Sequence, residues 1–156
     1  MKLIKNTILS ALMLVNTNNN INTSDVKVFD NAHHNIIIYH SAIKWASYYD
    51  IPVKYMFNVL KYETGYSFTN GKYNPYRISS AGALGPAQVM LSTARYIYDN
   101  DEITKDDLLY NIDFNIMTSA KLINKLYKLY DDWELVFGAY NTGRPIINSY
   151  AKLIVK

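Results

Sequence analysis

The amino-acid sequence predicts a compact all-α fold. Apolar residues recur at three- and four-residue spacing over most of the chain from Ala32 onward, which is the period of an amphipathic helix. The sequence of 156 residues is 49% hydrophobic, which is enough for one domain with a real core. Glycine and proline cluster between residues 64 and 85, which indicates one long loop with room for a short hairpin. These features predict about six or seven helices around that loop.

Residues 1–31 differ in composition from the rest of the chain. A basic start, residues 1–5, precedes an apolar run, residues 8–15, and a polar stretch rich in Asn follows from 16 to 31. This order is typical of an export signal, although no A-x-A cleavage site follows it. We therefore expect export to the periplasm, the cell envelope or the outside of the cell, with residues 16–31 as a linker and the domain at 32–156. A floppy or core-docking N-terminal arm is the alternative.

The first two predicted helices follow this segment. Residues 32 to 50 form the first, because apolar side chains repeat along one face. Its apolar stripe consists of Ile36, Tyr39, Ile43 and Ala46. The second runs from Ile51 to Glu63, with Pro52 in its first turn, where the missing N–H costs nothing. Gly65 ends this helix.

Further helices are predicted in the second half of the sequence. The acidic stretch from 99 to 107 predicts a connection between two of them. Asp131 and Glu134 have the spacing of a capping box, which indicates a helix start. Four helices are predicted here. One begins at Pro86, the second spans residues 111 to 130, the third spans 133 to 140 and stops at Asn141, and the last spans 145 to 155.

Glu63 continues the apolar stripe of the second helix, three residues after Leu60 and seven after Met56. A carboxyl group on an apolar face is poorly solvated, and burial raises its pKa because the charged form is disfavoured. A carboxyl that is protonated at neutral pH can donate the proton that cleavage of a glycosidic bond requires. Taken alone, a glutamate at a helix end is usually only a solvated side chain.

Several short motifs follow one another along the chain from Glu63 onward. They are Glu63-Thr64-Gly65-Tyr66, Asn74-Pro75, Ser79-Ser80-Ala81-Gly82-Ala83-Leu84-Gly85, Gln88-Val89-Met90, Thr93-Ala94 and Ala139-Tyr140-Asn141-Thr142-Gly143. In these motifs, residues 51–145 resemble the catalytic domain of the soluble lytic transglycosylases, which is similar to goose-type lysozyme. The resemblance implies a lysozyme-like helical fold with the long loop beside a catalytic glutamate, and it implies no cofactor.

The resemblance also implies a reaction, in which Glu63 cleaves the MurNAc-β-1,4-GlcNAc bond of peptidoglycan. No second carboxylate lies in a matching motif, so the usual scheme with two carboxylates is not evident. The N-acetyl group of MurNAc can instead stabilise the developing cation. Glu63, acting first as acid and then as base, would let the 6-hydroxyl of the sugar form 1,6-anhydro-MurNAc. A goose-type muramidase that admits water, and a non-catalytic module that binds peptidoglycan in an envelope or virion assembly, are the alternatives.

Substrate-binding positions are carried over from the same resemblance. They are Ser79, Gln88, Met90, Thr93, Tyr140 and Asn141. We expect Tyr140 to hydrogen-bond the acid or the sugar. Ser79 could instead stabilise the loop, Met90 could pack on an apolar stripe, and Thr93 could be an ordinary helix residue. Asn141 could cap its helix, where Asn tolerates left-handed geometry.

Composition argues against nucleic acid and a membrane span, and the resemblance implies glycan strands as the partner. The net charge of +3 is too small and too dispersed to indicate nucleic acid, and the apolar run at 8–15 is shorter than the about 20 residues of a membrane-spanning helix. The chain has no cysteine, and the adjacent His33 and His34 point in different directions, so we predict no metal site. The partner we expect is peptidoglycan, with an envelope, secretion or virion assembly as the setting.

Overall fold

The computed structural model describes residues 23–67 and 73–156. Contacts within the chain divide it into two units, Met1–Asp30 and Asn31–Lys156. The basic start and the apolar run of the predicted export signal lie outside the described residues.

Helices make up most of the described chain, as the sequence predicts. They are α1 (Thr23–Tyr48), α2 (Val53–Thr64), α3 (Leu91–Tyr98), α4 (Lys105–Tyr110), α5 (Ile112–Tyr130), α6 (Trp133–Thr142) and α7 (Ser149–Val155). No β-strand occurs in residues 23–67 or 73–156. The long loop contains only isolated antiparallel bridges, one between Ile78 and Leu84 and one between Leu84 and Val89.

The first helix begins earlier than predicted. Its backbone is helical from Thr23, so the prediction of a linker is wrong for residues 23–31. Asparagine and other polar residues are only weakly unfavourable in a helix, and their abundance does not by itself prevent one. The domain boundary at residue 32 stays a prediction.

The buried face of α1 also differs from the predicted stripe. Ile38, Ala42 and Ala46 are fully buried, whereas Ile36 is 54% exposed and Tyr39 is 36% exposed. Three consecutive isoleucines stand at this point of the sequence, so they cover most of the helix circumference. Periodicity therefore could not select the face, and packing against the rest of the domain did so.

One hydrogen-bonded cluster joins α1 to the first turn of α5. The Asp113 carboxylate accepts hydrogen bonds from Ser41 Oγ at 2.7 Å, Trp45 Nε1 at 2.9 Å and Lys44 Nζ at 3.2 Å. These donors hold the pKa of Asp113 below its usual value, even though partial burial opposes them. A negative charge in the first turn of α5 also interacts favourably with the helix dipole.

The second helix agrees closely with prediction. Met56, Val59 and Leu60 are fully buried, and the helix begins one residue after Pro52. Gly65 ends it in the left-handed conformation, with φ of 74°. The last turn of α2, which contains Glu63, is therefore set by local sequence.

Two helix starts near the long loop were predicted wrongly. The third helix begins at Leu91 rather than Pro86, because the chain first makes a tight turn in which Gln88 takes a φ of 51°. Helix α4 begins inside the predicted acidic connection. Thr104 and Asp107 form a capping box that begins this helix.

One further helix cap and one further helix start lie C-terminal to their predicted positions, whereas α6 begins at Trp133 as predicted. Helix α6 is capped by Asp132, whose side chain accepts from the Glu134 amide, so the predicted capping box with Asp131 is wrong by one residue. Asp131 instead ends α5 in a left-handed conformation. Helix α7 is capped by Asn148, not opened by Pro145.

Close packing explains the late start of α7. Helix α6 packs against α5 and α7, and α7 also packs against α2. A side chain at Gly138 of α6 would overlap the main chain of Ile146, so the segment before α7 crosses α6 in direct contact with it. This crossing brings α7 to the end of α2 that carries Glu63.

Candidate active site

Glu63 is the penultimate residue of α2, and its side chain is half-buried. The Tyr150 hydroxyl of α7 donates a hydrogen bond of 2.6 Å to Glu63 Oε1. Burial raises the pKa of Glu63 above its ordinary value, and the Tyr150 hydrogen bond and the charge of Arg77 oppose that rise without cancelling it. The carboxyl therefore keeps a proton to higher pH than a solvated glutamate does.

Tyr150 is a site residue that sequence reasoning missed. It lies outside every motif, and its position depends on the crossing of α6 described above. Burial and the charge of Glu63 raise the pKa of Tyr150, so its hydroxyl remains a donor throughout the physiological range. The adjacent Ala151 is buried, so this part of α7 packs against the domain. No local sequence pattern indicated that Tyr150 would contact Glu63.

Arg77 is a second residue that sequence reasoning missed. Its Nη1 donates a hydrogen bond of 2.8 Å to the main-chain oxygen of Glu63. Its main-chain oxygen accepts hydrogen bonds from the Gly85 amide at 2.9 Å and from Gln88 Nε2 at 3.2 Å. Arg77 thus connects the end of α2 with the loop that carries the glycine motif.

The loop from Ser79 to Gly85 is held largely by its own groups. The Ser79 amide donates a hydrogen bond of 2.9 Å to the Ala83 oxygen, and Ser79 Oγ accepts from the Ala83 amide at 3.0 Å. These contacts give Ser79 the loop-stabilising role considered as its alternative. Its contact with substrate stays a prediction.

Gln88 lies at the end of this loop, half-buried, in a left-handed conformation. Its Nε2 donates to the carbonyl oxygens of Gly85 at 2.9 Å and Arg77 at 3.2 Å. Because both amide hydrogens are used within the loop, the amide oxygen is the group that Gln88 can offer to a hydroxyl or acetamido donor.

A buried asparagine holds the loop against the long helix. Asn115 of α5 is fully buried and accepts from the Ala87 amide at 3.0 Å. Its Nδ2 donates to the Leu84 oxygen at 2.8 Å and to the Leu108 oxygen at 3.0 Å. A Cβ at Gly85 would lie 2.5 Å from Asn115 Nδ2, and the φ of Gly85 is 72°. Gly85 thus lets the backbone turn.

Tyr140 supports the same loop. Its hydroxyl donates to the Ala87 oxygen at 2.7 Å and lies 2.9 Å from Ser119 Oγ. Burial, and secondarily the charge of Glu63, raises the pKa of Tyr140. We expected Tyr140 to bond either the acid or the sugar. The acid, Glu63, accepts its hydrogen bond from Tyr150 instead. A contact between Tyr140 and a sugar stays a prediction.

The remaining predicted site residues lie at helix ends. Met90 precedes α3 and is 38% exposed, so its stripe of apolar neighbours does not bury it. Thr93 is half-buried in the first turn of α3. Asn141 is exposed and accepts from Asn148 Nδ2 at 3.2 Å. It does not cap its helix, because Gly143 takes that position. The substrate contacts of these residues stay predictions.

Other features of the described chain do not define a site. A surface cavity of about 540 Å³ beside α3 is lined by residues between Leu91 and Asp101 and by none of the predicted site residues. Within residues 23–67 and 73–156, no group of three or more His, Cys, Asp or Glu side chains could hold a metal ion. No helix in those same ranges is long and apolar enough to cross a membrane.

Comparison with known proteins shows which family this chain belongs to. The domain is similar to the lytic transglycosylase Slt of Pseudomonas aeruginosa, solved as an inactive mutant, with a TM-score of 0.56 and 18% sequence identity. The match covers 67% of this chain but only 16% of that one, and it confirms the all-α, lysozyme-like fold. A search of curated proteins found no match. The family model of the transglycosylase SLT domain matches residues 41–153, most of the chain, and the protein therefore belongs to the SLT domain family.

Proposed function

We propose that this domain is a lytic transglycosylase that cleaves the MurNAc-β-1,4-GlcNAc bond of peptidoglycan. The observation that carries the proposal is the half-buried Glu63 carboxyl, whose pKa is raised by burial and whose Oε1 accepts the 2.6 Å hydrogen bond of Tyr150. Membership of the SLT domain family supports peptidoglycan as the substrate.

In the first step, protonated Glu63 donates its proton to the glycosidic oxygen, and the bond from that oxygen to the anomeric carbon of MurNAc breaks. A raised pKa keeps the required proton on the acid to higher pH than on a solvated glutamate. The Tyr150 hydrogen bond fixes the orientation of the carboxyl through Oε1, which leaves Oε2 for the substrate. The acetamido oxygen of MurNAc stabilises the positive charge that develops at the anomeric carbon.

In the second step, the Glu63 carboxylate takes the proton of the MurNAc 6-hydroxyl while that oxygen bonds to the anomeric carbon. The acid is thereby regenerated, and the products are 1,6-anhydro-MurNAc and a free GlcNAc 4-hydroxyl. No second carboxylate lies in a motif that matches the family, which supports a mechanism without a nucleophilic carboxylate or a glycosyl-enzyme.

A relative supports Glu63 as the essential group. The Slt structure from Pseudomonas aeruginosa is described as an inactive mutant in which a glutamate is replaced by glutamine. The same replacement at Glu63 removes the proton that both steps use and keeps the shape of the side chain. Gln88, Tyr140, Met90, Thr93, Ser79 and Asn141 are proposed as the surrounding sugar contacts.

Mass spectrometry of digested peptidoglycan tests the proposal. Wild-type protein should release fragments that end in 1,6-anhydro-MurNAc, lighter by one water than hydrolysed fragments, and Glu63→Gln should release none. Fragments with a free reducing end that take up label from heavy-oxygen water would identify a goose-type muramidase. Binding of glycan strands without any released fragment would identify a non-catalytic module.

We also propose that the chain acts outside the cytoplasm, because its substrate is the cell wall and residues 1–15 have the pattern of an export signal. A secretion, envelope or virion assembly would be its setting. Fusion of residues 1–31 to a reporter that is active only after export tests this proposal, and absence of reporter activity would contradict it.

A further inference from the structure

Arg77 forms hydrogen bonds with two separate parts of the candidate site. Its guanidinium bonds to the main-chain oxygen of Glu63 at 2.8 Å. Its own main-chain oxygen accepts from Gln88 Nε2 at 3.2 Å and from the Gly85 amide at 2.9 Å. One exposed residue therefore connects the proposed acid with the proposed sugar-binding glutamine.

The contact with α2 supplies a partner that the helix end lacks. The last four carbonyl groups of a helix have no partner within the helix. In α2, the Leu60 and Lys61 oxygens accept hydrogen bonds from the amides that follow the helix, and the Glu63 oxygen accepts from Arg77. A cation at a helix C-terminus is also favoured by the helix dipole. Arg77 therefore stabilises the turn from which the Glu63 side chain projects.

The charge of Arg77 acts on the Glu63 carboxyl as well. Tyr150 faces the carboxyl from α7, Tyr140 lies on the α6 side, and Lys61 is nearby on α2 itself. Both tyrosines are neutral, because burial raises the pKa of each hydroxyl. Arg77 supplies a positive charge that lowers the pKa of Glu63 against the effect of burial.

We propose that Arg77 is a positioning residue that holds Glu63 and Gln88 in one arrangement and sets the pH range in which Glu63 works. This inference rests on the proposed function of Glu63. The role needs a positive charge together with a hydrogen-bond donor. Lysine can therefore substitute for Arg77 in part, and methionine of similar length cannot.

Carbon-13 NMR of glutamate carboxyls measures this effect without depending on activity. The chain contains only three glutamates, Glu63, Glu102 and Glu134, so labelled glutamate gives three carboxyl signals, and Glu63→Gln assigns one of them. The titration is compared between wild-type protein, Arg77→Met and Arg77→Lys. Lys128→Met, which removes an exposed charge from the last turn of α5, is the matched control.

Arg77→Met should move the Glu63 titration to higher pH, because the cation that favours the carboxylate is gone. The alkaline limb of the pH profile for wall lysis should move in the same direction, and the rate at the optimum should fall about tenfold from loss of the hydrogen bond. Arg77→Lys should titrate near wild type, and Lys128→Met should match wild type in both measurements.

A Glu63 titration in Arg77→Met that coincides with wild type would overturn the proposal, and so would an equal displacement in Lys128→Met. If Arg77→Met does not fold, wild-type protein is titrated at low and high salt. Screening of an exposed cation must then raise the pKa of Glu63, and no change would overturn the proposal. If Glu63→Gln still lyses walls, the proposed function fails, whereas the titration still decides whether Arg77 controls Glu63.

Discussion

Tyr140 and Tyr150 lie on successive helices, and their hydroxyl groups have different partners. Tyr140 belongs to a recognisable motif, yet its hydroxyl donates to the Ala87 oxygen and pairs with Ser119. Tyr150 belongs to no motif, yet its hydroxyl donates to Glu63. In this domain, the tyrosine of the motif supports the loop, and the tyrosine outside it contacts the proposed acid.

The difference shows that a sequence motif can preserve a scaffold as well as a reacting group. The loop around Gln88 turns sharply and carries backbone groups that are buried, and each such group needs a partner. Tyr140 and Asn115 supply those partners. The hydrogen bond to Glu63 does not satisfy a buried backbone group of the loop. Tyr150 donates it from α7, the helix that packs against α2.

The largest expected effect is a loss of stability when the loop, and not Glu63, is changed. Gly85→Ala places a Cβ against Asn115 and Leu108 at a φ of 72°, so we expect a loss of about 3 kcal/mol or more in the free energy of unfolding. Urea unfolding measures it. Gly82→Ala is the control, because its φ is similar at 85° and the surrounding space is open. An equal loss in the two variants would show that backbone conformation alone, without packing against Asn115, explains the requirement.

Tyr150→Phe should have the next largest effect, and it should act on the reaction. Loss of a hydrogen bond to a carboxylate costs about 1.5–3 kcal/mol, which corresponds to a rate reduction of about 10- to 100-fold. The hydrogen bond lowers the pKa of Glu63, so its removal raises that pKa further. The alkaline limb of the pH profile for wall lysis should move to higher pH, and an unmoved limb would contradict the role of Tyr150.

Tyr140→Phe should have a smaller effect, and it should act on stability. The Ala87 oxygen and the Ser119 hydroxyl lose a neutral partner, which costs about 1–1.5 kcal/mol in the free energy of unfolding. The alkaline limb should stay near its wild-type position, because the Tyr140 hydroxyl donates to the loop and not to Glu63. A limb displaced as far as in Tyr150→Phe would remove the distinction between the two tyrosines.

The smallest expected effect is on stability at Glu63 itself. Its pKa is raised in the folded protein above the ordinary 4.5, so the folded state binds the proton more tightly than the unfolded state. This contribution is fully present below pH 4.5 and is lost as pH rises through the folded pKa. The melting temperature of Glu63→Gln should therefore rise relative to that of wild type as the pH is raised from acidic to neutral. A difference that is constant with pH would contradict the raised pKa.

Helices governed by local signals were predicted well from the sequence. Helix α5 begins after its cap at Asn111 and ends at Tyr130, as its regular apolar period indicates. Helix α2 ends at Gly65 because a left-handed residue there closes the last turn.

Features that depend on distant contacts were not predicted. The buried face of α1, the late start of α7 and the contacts of Arg77 and Tyr150 all involve residues far apart in the sequence. Pro145 was a reasonable local signal for a helix start. The crossing at Gly138 nevertheless keeps the chain extended until Asn148.

The sequence by itself determined the all-α class, the family and the identity of Glu63 as the candidate acid, because periodicity, helix caps and ordered motifs are properties of neighbouring residues. Only the tertiary structure decided which groups surround Glu63. Burial raises its pKa, while Tyr150 and Arg77 oppose that rise from another helix and from the loop. Desolvation and Coulomb interactions depend on distance in space, and separation along the chain does not specify that distance.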